Sequence, residues 1–395
     1  MRRTLPTIIL TLAWAIAPHS ALGQILPGFE IIHITEDEHY GEGGQLNNCG
    51  QVAYSIRFNF VWFTEEVFVY DNGSIAQLTL DGFNDRLPKI NDAGVVVWTR
   101  ELGDSGSARE IALWSEGKLT LITDDDVKDV GPWINNLGHV VWSRLPGDGC
   151  THAEIFLYDG ETITQITDNG LSNQEARIND NGMITATAYD FCVAPLQSEI
   201  FAYVNGETIQ ITSGQFQSGA SSINNLGQIT WSSNAPVTFV NDVHLWEDGS
   251  SVMITDNGLV PKLNNLGEIA FTGPDEGPWN AWLWRDGEII QVTDEGFAPA
   301  AFNDWGEMTS LCAPIPETDI CLMRRIRTGE ADFDGHIDLK DAAAFQNCYT
   351  GPGDFDGTVG GFDRLCDCRF LDIDHDRDVD RDDYALFAAA MTGPE

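Results

Sequence analysis

The stretch Asp372-Ile-Asp374-His-Asp376-Arg-Asp378-Val-Asp380-Arg-Asp-Asp383 sets carboxylates at positions 1, 3, 5, 9 and 12 of a twelve-residue loop. That spacing lets a short loop surround a hard cation with oxygen. Asp378 offers its backbone carbonyl at position 7, and Val379 anchors the loop with an apolar side chain. The expected ion is Ca2+. Arg377 stands where such loops usually have Gly for a sharp turn, which should lower affinity. An earlier copy, Asp332, Asp334, Asp338 and Asp341, is two residues shorter, and an echo at 354–363 lacks a carboxylate at Gly360 and reads as a linker relic. Each fuller loop runs into an Ala-rich stretch of helical composition, Ala342–Gln346 and Tyr384–Met391.

Cysteine is the second residue type with chemistry to offer. Eight cysteines suit an oxidising compartment. Cys312 and Cys321 flank a Pro-rich hairpin and are expected to bridge. Cys150 and Cys192 occupy equivalent loops of neighbouring repeats and are expected to pair with each other. Cys348 has two candidate partners, Cys366 and Cys368. Cys49 fills a slot that leucine takes in three other repeats and reads as a buried apolar thiol. None has zinc-site spacing.

No Gly-x-Ser-x-Gly elbow and no His-Glu-x-x-His occurs, and the histidines are scattered. Paired acids from different repeats could still serve glycoside chemistry near an axis. Asp124, Asp168, Asp256 and Asp294, however, recur at one repeat position, which argues for turn chemistry. A net charge of −40 over 395 residues argues against a basic nucleic-acid face and against adhesion to anionic membranes.

These side chains hang on a repeat. LNNCGQVAY (46–54), INDAGVVVW (90–98), INNLGHVVW (134–142), INDNGMITA (178–186), INNLGQITW (223–231), LNNLGEIAF (263–271) and FNDWGEMTS (302–310) are variants of one phrase. Their glycines lie 44, 44, 44, 45, 40 and 39 residues apart, a period that marks a radial repeat. Within 134–177 the pattern predicts four strands: one ending at the Asn-Gly turn, then Val140–Trp142, Glu154–Tyr158 and Thr162–Thr167. Consecutive apolar residues suit strands buried on both faces. The last repeat lacks a fourth strand, while Glu30–Thr35 reads like Glu288–Thr293, so the first strand of the mature chain is expected to complete the final blade. The expected fold is an all-β seven-bladed β-propeller over 24–328 with a small α-helical, EF-hand-like module over 329–395.

Long variable loops follow the second and fourth strands, and tight Gly turns hold the other face. Ligand binding is therefore expected on the long-loop face, with Arg57, Arg100, Arg144, Trp62, Trp133 and Trp279 as candidates for holding carboxylates or stacking on sugars. Residues 1–23 read as a secretory signal peptide: a basic start, an apolar run from Leu5 to Ala17, and small residues ending at Gly23. No other stretch approaches the roughly 20 apolar residues of a membrane span, so a secreted protein with no span in the mature chain is expected.

The phrase N-D-x-G-x-[IV]-[VA]-[FW], followed by [EI]-x-L-[YW] and Q-[IL]-T, resembles the repeats of TolB-type (PD40-like) β-propellers over about residues 29–326, with Asn where that family often has Ser-Pro. The two Asp loops, with the Phe345–Pro352 stretch and the closing Met-Thr-Gly-Pro, resemble a type I dockerin module as found in secreted planctomycete proteins. This resemblance implies calcium binding and a cohesin-like partner, with loop positions 10 and 11 helping to choose it. Here those are Leu339-Lys340 and Arg381-Asp382 rather than Ser/Thr pairs. Two functions follow as expectations. One is a secreted, non-enzymatic binding or scaffold protein that recognises a glycan or protein. The other is a dockerin-bearing glycoside hydrolase or polysaccharide lyase.

Overall fold

The Asn-x-x-Gly phrase makes one turn many times over. The Oδ1 of Asn47, Asn91, Asn135, Asn179, Asn224, Asn264 and Asn303 each accepts the backbone N–H four residues on, at 2.9–3.0 Å. The glycine between has positive φ, 73–82° across Gly50, Gly94, Gly138, Gly182, Gly227, Gly267 and Gly306, a conformation that other residues adopt only under strain. In this computed structural model the described residues are 28–35, 40–57, 64–102, 108–145, 152–190, 197–213, 217–234, 241–273, 279–293, 296–312, 319–326, 329, 337, 339–348, 368, 370–373 and 379–391. The expected signal peptide lies outside them.

Each turn joins an inner strand to the second strand of an antiparallel meander. One such sheet comprises Asn84–Ile90, Val96–Leu102, Ala108–Ser115 and Lys118–Leu121, with Val96 opposite Trp114 and Ala112 opposite Leu121. The second strands are buried on both faces, as Val96, Val97 and Trp98 show at 1%, 0% and 0% exposure. The cause is sheet-on-sheet packing. Ala53 and Val67 meet Ile90, Val96 and Trp98 of the next sheet, and Val97 and Ile111 meet Ile134, Val140 and Trp142 of the one after. The series ends where it began: Val52, Tyr54, Phe68 and Tyr70 of the first sheet pack on Ile320 and Leu322 of the last. The chain is mostly β, with sheets arranged as a β-propeller.

The last sheet takes its outer strand from the N-terminus. Phe29–His33 runs antiparallel to Asp319–Arg325, pairing Ile31 with Met323 and His33 with Cys321. Thr35 repeats a contact made in other sheets, where the Thr after the fourth strand accepts from a third-strand N–H. Thr79, Thr123, Thr167 and Thr293 accept from Val67, Ile111, Ile155 and Ala281 at 2.9–3.0 Å, and Thr35 accepts from Ile320 at 2.9 Å.

The turns are also wired to one another. The Nδ2 of Asn47 donates to the carbonyl of Asn91 (2.9 Å), and the relay continues to Asn135 (3.0), Asn179 (3.0), Asn224 (2.8), Asn264 (2.9) and Asn303 (3.3). Asn303 donates back to Asn47 at 3.1 Å and closes the circle. Beyond the sheets lie two short helices, α1 (Leu339–Cys348) and α2 (Arg381–Ala390), around a small core of Phe345, Leu371, Val379 and Phe387. No helix among the described residues is long and apolar enough to cross a membrane.

Replacing Asn303 with Ala orphans two turn N–H groups and a link of the belt at once. The expected cost is about 2–4 kcal/mol, read as a clear fall in Tm. A Tm within a degree of the wild type would show that the belt carries no stability.

Candidate functional site

Around the axis, the residue after each belt asparagine forms a second circle. The backbone N–H of Asn48 donates to Asp92 Oδ1 (2.7 Å), Asp92 to Asn136 (2.9), Asn136 to Asp180 (2.7), Asp180 to Asn225 (2.9), Asn225 to Asn265 (2.8), Asn265 to Asp304 (2.6) and Asp304 back to Asn48 (3.0). The other oxygen of each acid lies between two side-chain amides. Asp92 accepts from Asn48 and Asn136, Asp180 from Asn136 and Asn225, and Asp304 from Asn48 and Asn265, all within 3.2 Å. Burial pushes the Asp92 carboxyl up despite these donors. The two circles line an axial cavity of about 160 Å³.

Trp133 lines the same cavity. The sequence placed it on the long-loop face; the structure places it on the inner strand Lys128–Ile134, two residues before a belt asparagine. Lys89 and Arg177 approach its ring at 5.4 and 4.3 Å. Lys89, Arg177 and Lys262 hold the same repeat position on three inner strands. Burial foremost, then mutual repulsion, pushes Lys89 well below the usual lysine range and Lys262 down to about 8. Burial also lowers Arg177. Sequence reading missed this trio because each cation stands alone in its repeat.

The arginines nominated from sequence are ion-paired. Arg57 binds the buried Glu65. Arg100 pairs with Asp81 and Asp85 and lies over Phe83. Arg144 pairs with Asp129 at 2.6 Å and Asp125 at 3.0 Å and lies over Phe156. Each of the last two faces its acid across the strand pair: Arg100 opposite Asp85, Arg144 opposite Asp129. The indoles of Trp98 and Trp142 donate to the same two acids at 2.7 and 2.9 Å. In the next repeat Ala188 stands opposite Asn173, and Asn169 replaces the outer acid. The cation and both aspartates disappear together, while the glutamate of the set persists as Glu154. Glu66–Asp81–Asp85 and Glu110–Asp125–Asp129 are close enough to share an ion, but the joint loss assigns the aspartate charge to the arginines. Burial raises Asp85 to about 6, with Arg100 opposing. Trp279 is exposed beside the loop before Asn280–Arg285; Trp62 lies outside the described residues.

In the tail, Asp383 is wholly buried and ties both ends of its loop, accepting from the N–H of Ile373 at 2.5 Å and of Asp380 at 2.9 Å. Asp380 caps α2 by accepting from Asp382 N–H at 2.7 Å. Asp372 and Asp380 are buried too, as is Asp341 in the first turn of α1. Asp332, Asp334, Asp338, Asp374, Asp376 and Asp378 lie outside the described residues. The tail meets the propeller through Phe370, whose ring centroid is 4.3 Å from that of Trp305 in the last turn.

Cys312–Cys321 is bonded, and Cys348 pairs with Cys368. That settles the choice the sequence left open for Cys348. The bridge also removes His33, Cys312 and Cys321 as a metal set. Cys49 corrects the sequence reading: it is disulfide-bonded rather than a free apolar thiol. The other described cysteines are paired among themselves, so its partner is Cys150, Cys192 or Cys366, all outside the described residues.

No family model matches the chain, and no curated protein matches it. Solved structures do. The β-propeller domain of the Trilobed protease from Pyrococcus furiosus, described as having an open velcro topology, superposes with TM-score 0.56 at 13% identity, covering 73% of this chain and 96% of that one. Pyrococcus horikoshii acylaminoacyl peptidase gives 0.55 at 13% identity over 72% of this chain, which spans about half (51%) of the peptidase. TolB from Acinetobacter baumannii gives 0.43 at 14% identity, covering 62% of this chain and 64% of that one. At these identities the likeness is one of fold.

Two outcomes are expected. Arg144→Ala strands two acids and should lower Tm, while adding Asp125→Asn and Asp129→Asn should restore much of the loss; no recovery in the triple variant would refute the charge matching. Non-reducing peptide mapping should join Cys49 to Cys366, because the Cys49 turn adjoins the Asp304–Trp305 turn on which Phe370 packs. A link to Cys150 or Cys192 would contradict this.

Proposed function

We propose that the chain is a secreted, non-enzymatic binding or scaffold protein, built as a seven-bladed propeller with an EF-hand-like, dockerin-like tail that binds Ca2+. The observation that carries this reading is the matching of acids to arginines across successive repeats. Groups that a hydrolytic site would need are committed to one another, which leaves the axis and the exposed loop surface for recognition. Trp279, at 62% exposure, is suited to stacking on a sugar ring.

The tail residues fit a hard cation. Asp372, Asp380 and Asp383 are 4%, 8% and 0% exposed within one loop. Carboxylates buried in one short loop are stabilised by a cation that completes the oxygen set. Asp341 and the first-loop acids Asp332, Asp334 and Asp338 would serve a second ion, with Asp374, Asp376 and Asp378 completing the first set. Between α1 and α2 runs a groove of about 400 Å³ lined by Leu339, Ala342, Phe345, Tyr384, Phe387 and Met391. Leu339 and Tyr384 are exposed at 74% and 53%, a surface suited to a cohesin-like partner or another extracellular protein. The disulfides fit an oxidising, extracellular setting.

Calorimetry on the mature chain should show calcium binding that Asp372→Asn with Asp383→Asn abolishes. No calcium-dependent heat at millimolar calcium would remove the metal assignment. A glycan array run beside reducing-sugar assays should show retention without sugar release, and release would favour the polysaccharide-degrading alternative.

A further inference from the structure

We propose that the inner strands hold an anion site, formed by Lys89 and Arg177 on the ring of Trp133 with Lys262 at the same repeat position, for a small oxyanion carrying two or more negative charges. The site is separate from the tail and from the long-loop face.

Three inner strands, Asn84–Ile90, Ser172–Ile178 and Leu259–Leu263, aim these cations inward by one device. Each strand is bulged, with register breaks between Arg86 and Lys89, Gln174 and Arg177, and Leu259 and Lys262. The cation is the first residue to re-enter the register. Bulges re-aim side chains in this way. Two residues before each cation the backbone is left-handed at a non-glycine residue, with φ of 53° at Leu87, 59° at Glu175 and 48° at Val260. For β-branched Val260 that is a strained conformation. Trp133 follows the same bulge on its own strand, where Gly131 takes the positive φ at 65° without penalty. Chain strain is thus retained at the strands that deliver charge.

The three cations are left uncompensated. Among the described residues none has a carboxylate within ion-pair distance. Lys89 Nζ reaches only the Pro88 carbonyl at 3.4 Å, and Arg177 Nη1 the Ala176 carbonyl at 2.9 Å. Glu175 acts on Arg177 and Lys262 from farther away, and its carboxylate accepts from Thr187 at 3.2 Å. In a chain of net charge −40 acids abound, yet among the described residues no acid closes on this trio while Arg57, Arg100 and Arg144 are all paired. Three like charges on half-buried side chains in one neighbourhood are costly. A bound oxyanion offsets that cost, and one anion can bridge an ammonium, a guanidinium and a second ammonium at once. Trp133 also lines the axial cavity of about 160 Å³, whose polar lining is the Asn/Asp circle and not the three cations. Trp133, gripped on its ring by Lys89 and Arg177, keeps both cations oriented.

Phosphate and dicarboxylates share this chemistry, and titration separates them. The mature chain, in resin-decalcified buffer at pH 7, would be titrated with inorganic phosphate and separately with malonate, each against sodium chloride at matched ionic strength, by calorimetry and by Tm. Saturable binding of at least one anion is expected, with a rise in Tm. Lys89→Met and Lys262→Met should each weaken it about tenfold or more, whereas exposed Lys128→Met should not. Without anion, Lys262→Met should raise Tm, because removing a repelled charge relieves an empty site. A merely structural lysine would lower it. Binding of phosphate alone would identify a phosphate-type ligand, and of malonate alone a carboxylate. If neither anion binds saturably, or if the Lys89→Met/Lys262→Met double variant binds as the wild type does, the proposal fails.

Discussion

The amide relay from Asn47 round to Asn303 and back is the interaction on which the rest depends. Each link is an ordinary amide-to-carbonyl hydrogen bond, worth about 1 kcal/mol net. Its importance lies in being cyclic. Because Asn303 donates to Asn47, no turn is terminal, and each asparagine has both its amide and its carbonyl side engaged. Side chains that serve their own Gly turn and the neighbouring sheet together fix the distance between sheets at the axis. The apolar clusters between sheets can then pack at one spacing all the way round. The strand Phe29–His33 performs the same closure at the rim, where Thr35 occupies the place that Thr293 takes one sheet earlier. Inner closure is by side-chain amides, outer closure by a borrowed strand.

A second constraint acts on charge. A protein of net charge −40 must keep buried carboxylates neutralised or well bonded. It does so in two ways. Within the sheets, Arg100 and Arg144 face Asp85 and Asp129 on the adjacent strand, and where the arginine gives way to Ala188 the acid gives way to Asn173. Along the axis, Asp92, Asp180 and Asp304 are separated by asparagines, so each carboxylate lies between amides rather than beside another acid. With seven positions strict alternation is impossible, and the mismatch falls at the Asn225–Asn265 step, where two amides adjoin. Two adjacent amides are tolerable; two adjacent carboxylates would not be.

Much of the frame was legible in the sequence, because the repeat writes the same physical need many times. Asn for the turn, Gly for positive φ, paired apolar residues for double-faced burial and Gln-x-Thr for the strand end all recur in register. The borrowed first strand was legible because its partner repeat ends short. Legibility fails where a property belongs to several repeats jointly. Arg57, Arg100 and Arg144 looked like a ligand-holding set, since sequence shows the cation and not the acid opposite it. Trp133 looked like a loop aromatic, since a bulge that turns it inward leaves no mark on the residue types. Cys49 resembled its leucine counterparts, and only its bonding separates it from them. Lys89, Arg177 and Lys262 are lone cations in strands nearly ninety residues apart, and nothing but the ring brings them together.

The same ring explains why the axis is the place where this protein departs from structural economy. Elsewhere Arg57, Arg86, Arg100, Arg109, Arg144, Arg285 and Arg324 meet acids, and left-handed backbone is mostly given to glycine or to turn residues. On the inner strands, Leu87, Glu175 and Val260 accept positive φ, and the residues that follow them two positions on are mutually repelling cations. Neither the strain nor the repulsion is needed to close the fold. Gln45 and Ser222 re-enter the register after equivalent breaks without charge, and Gly131 makes its bulge without penalty. A sequence constrained only by stability would spread those neutral solutions around the circle. The observed choice costs stability at three positions simultaneously, and all three hold the same place in their repeats.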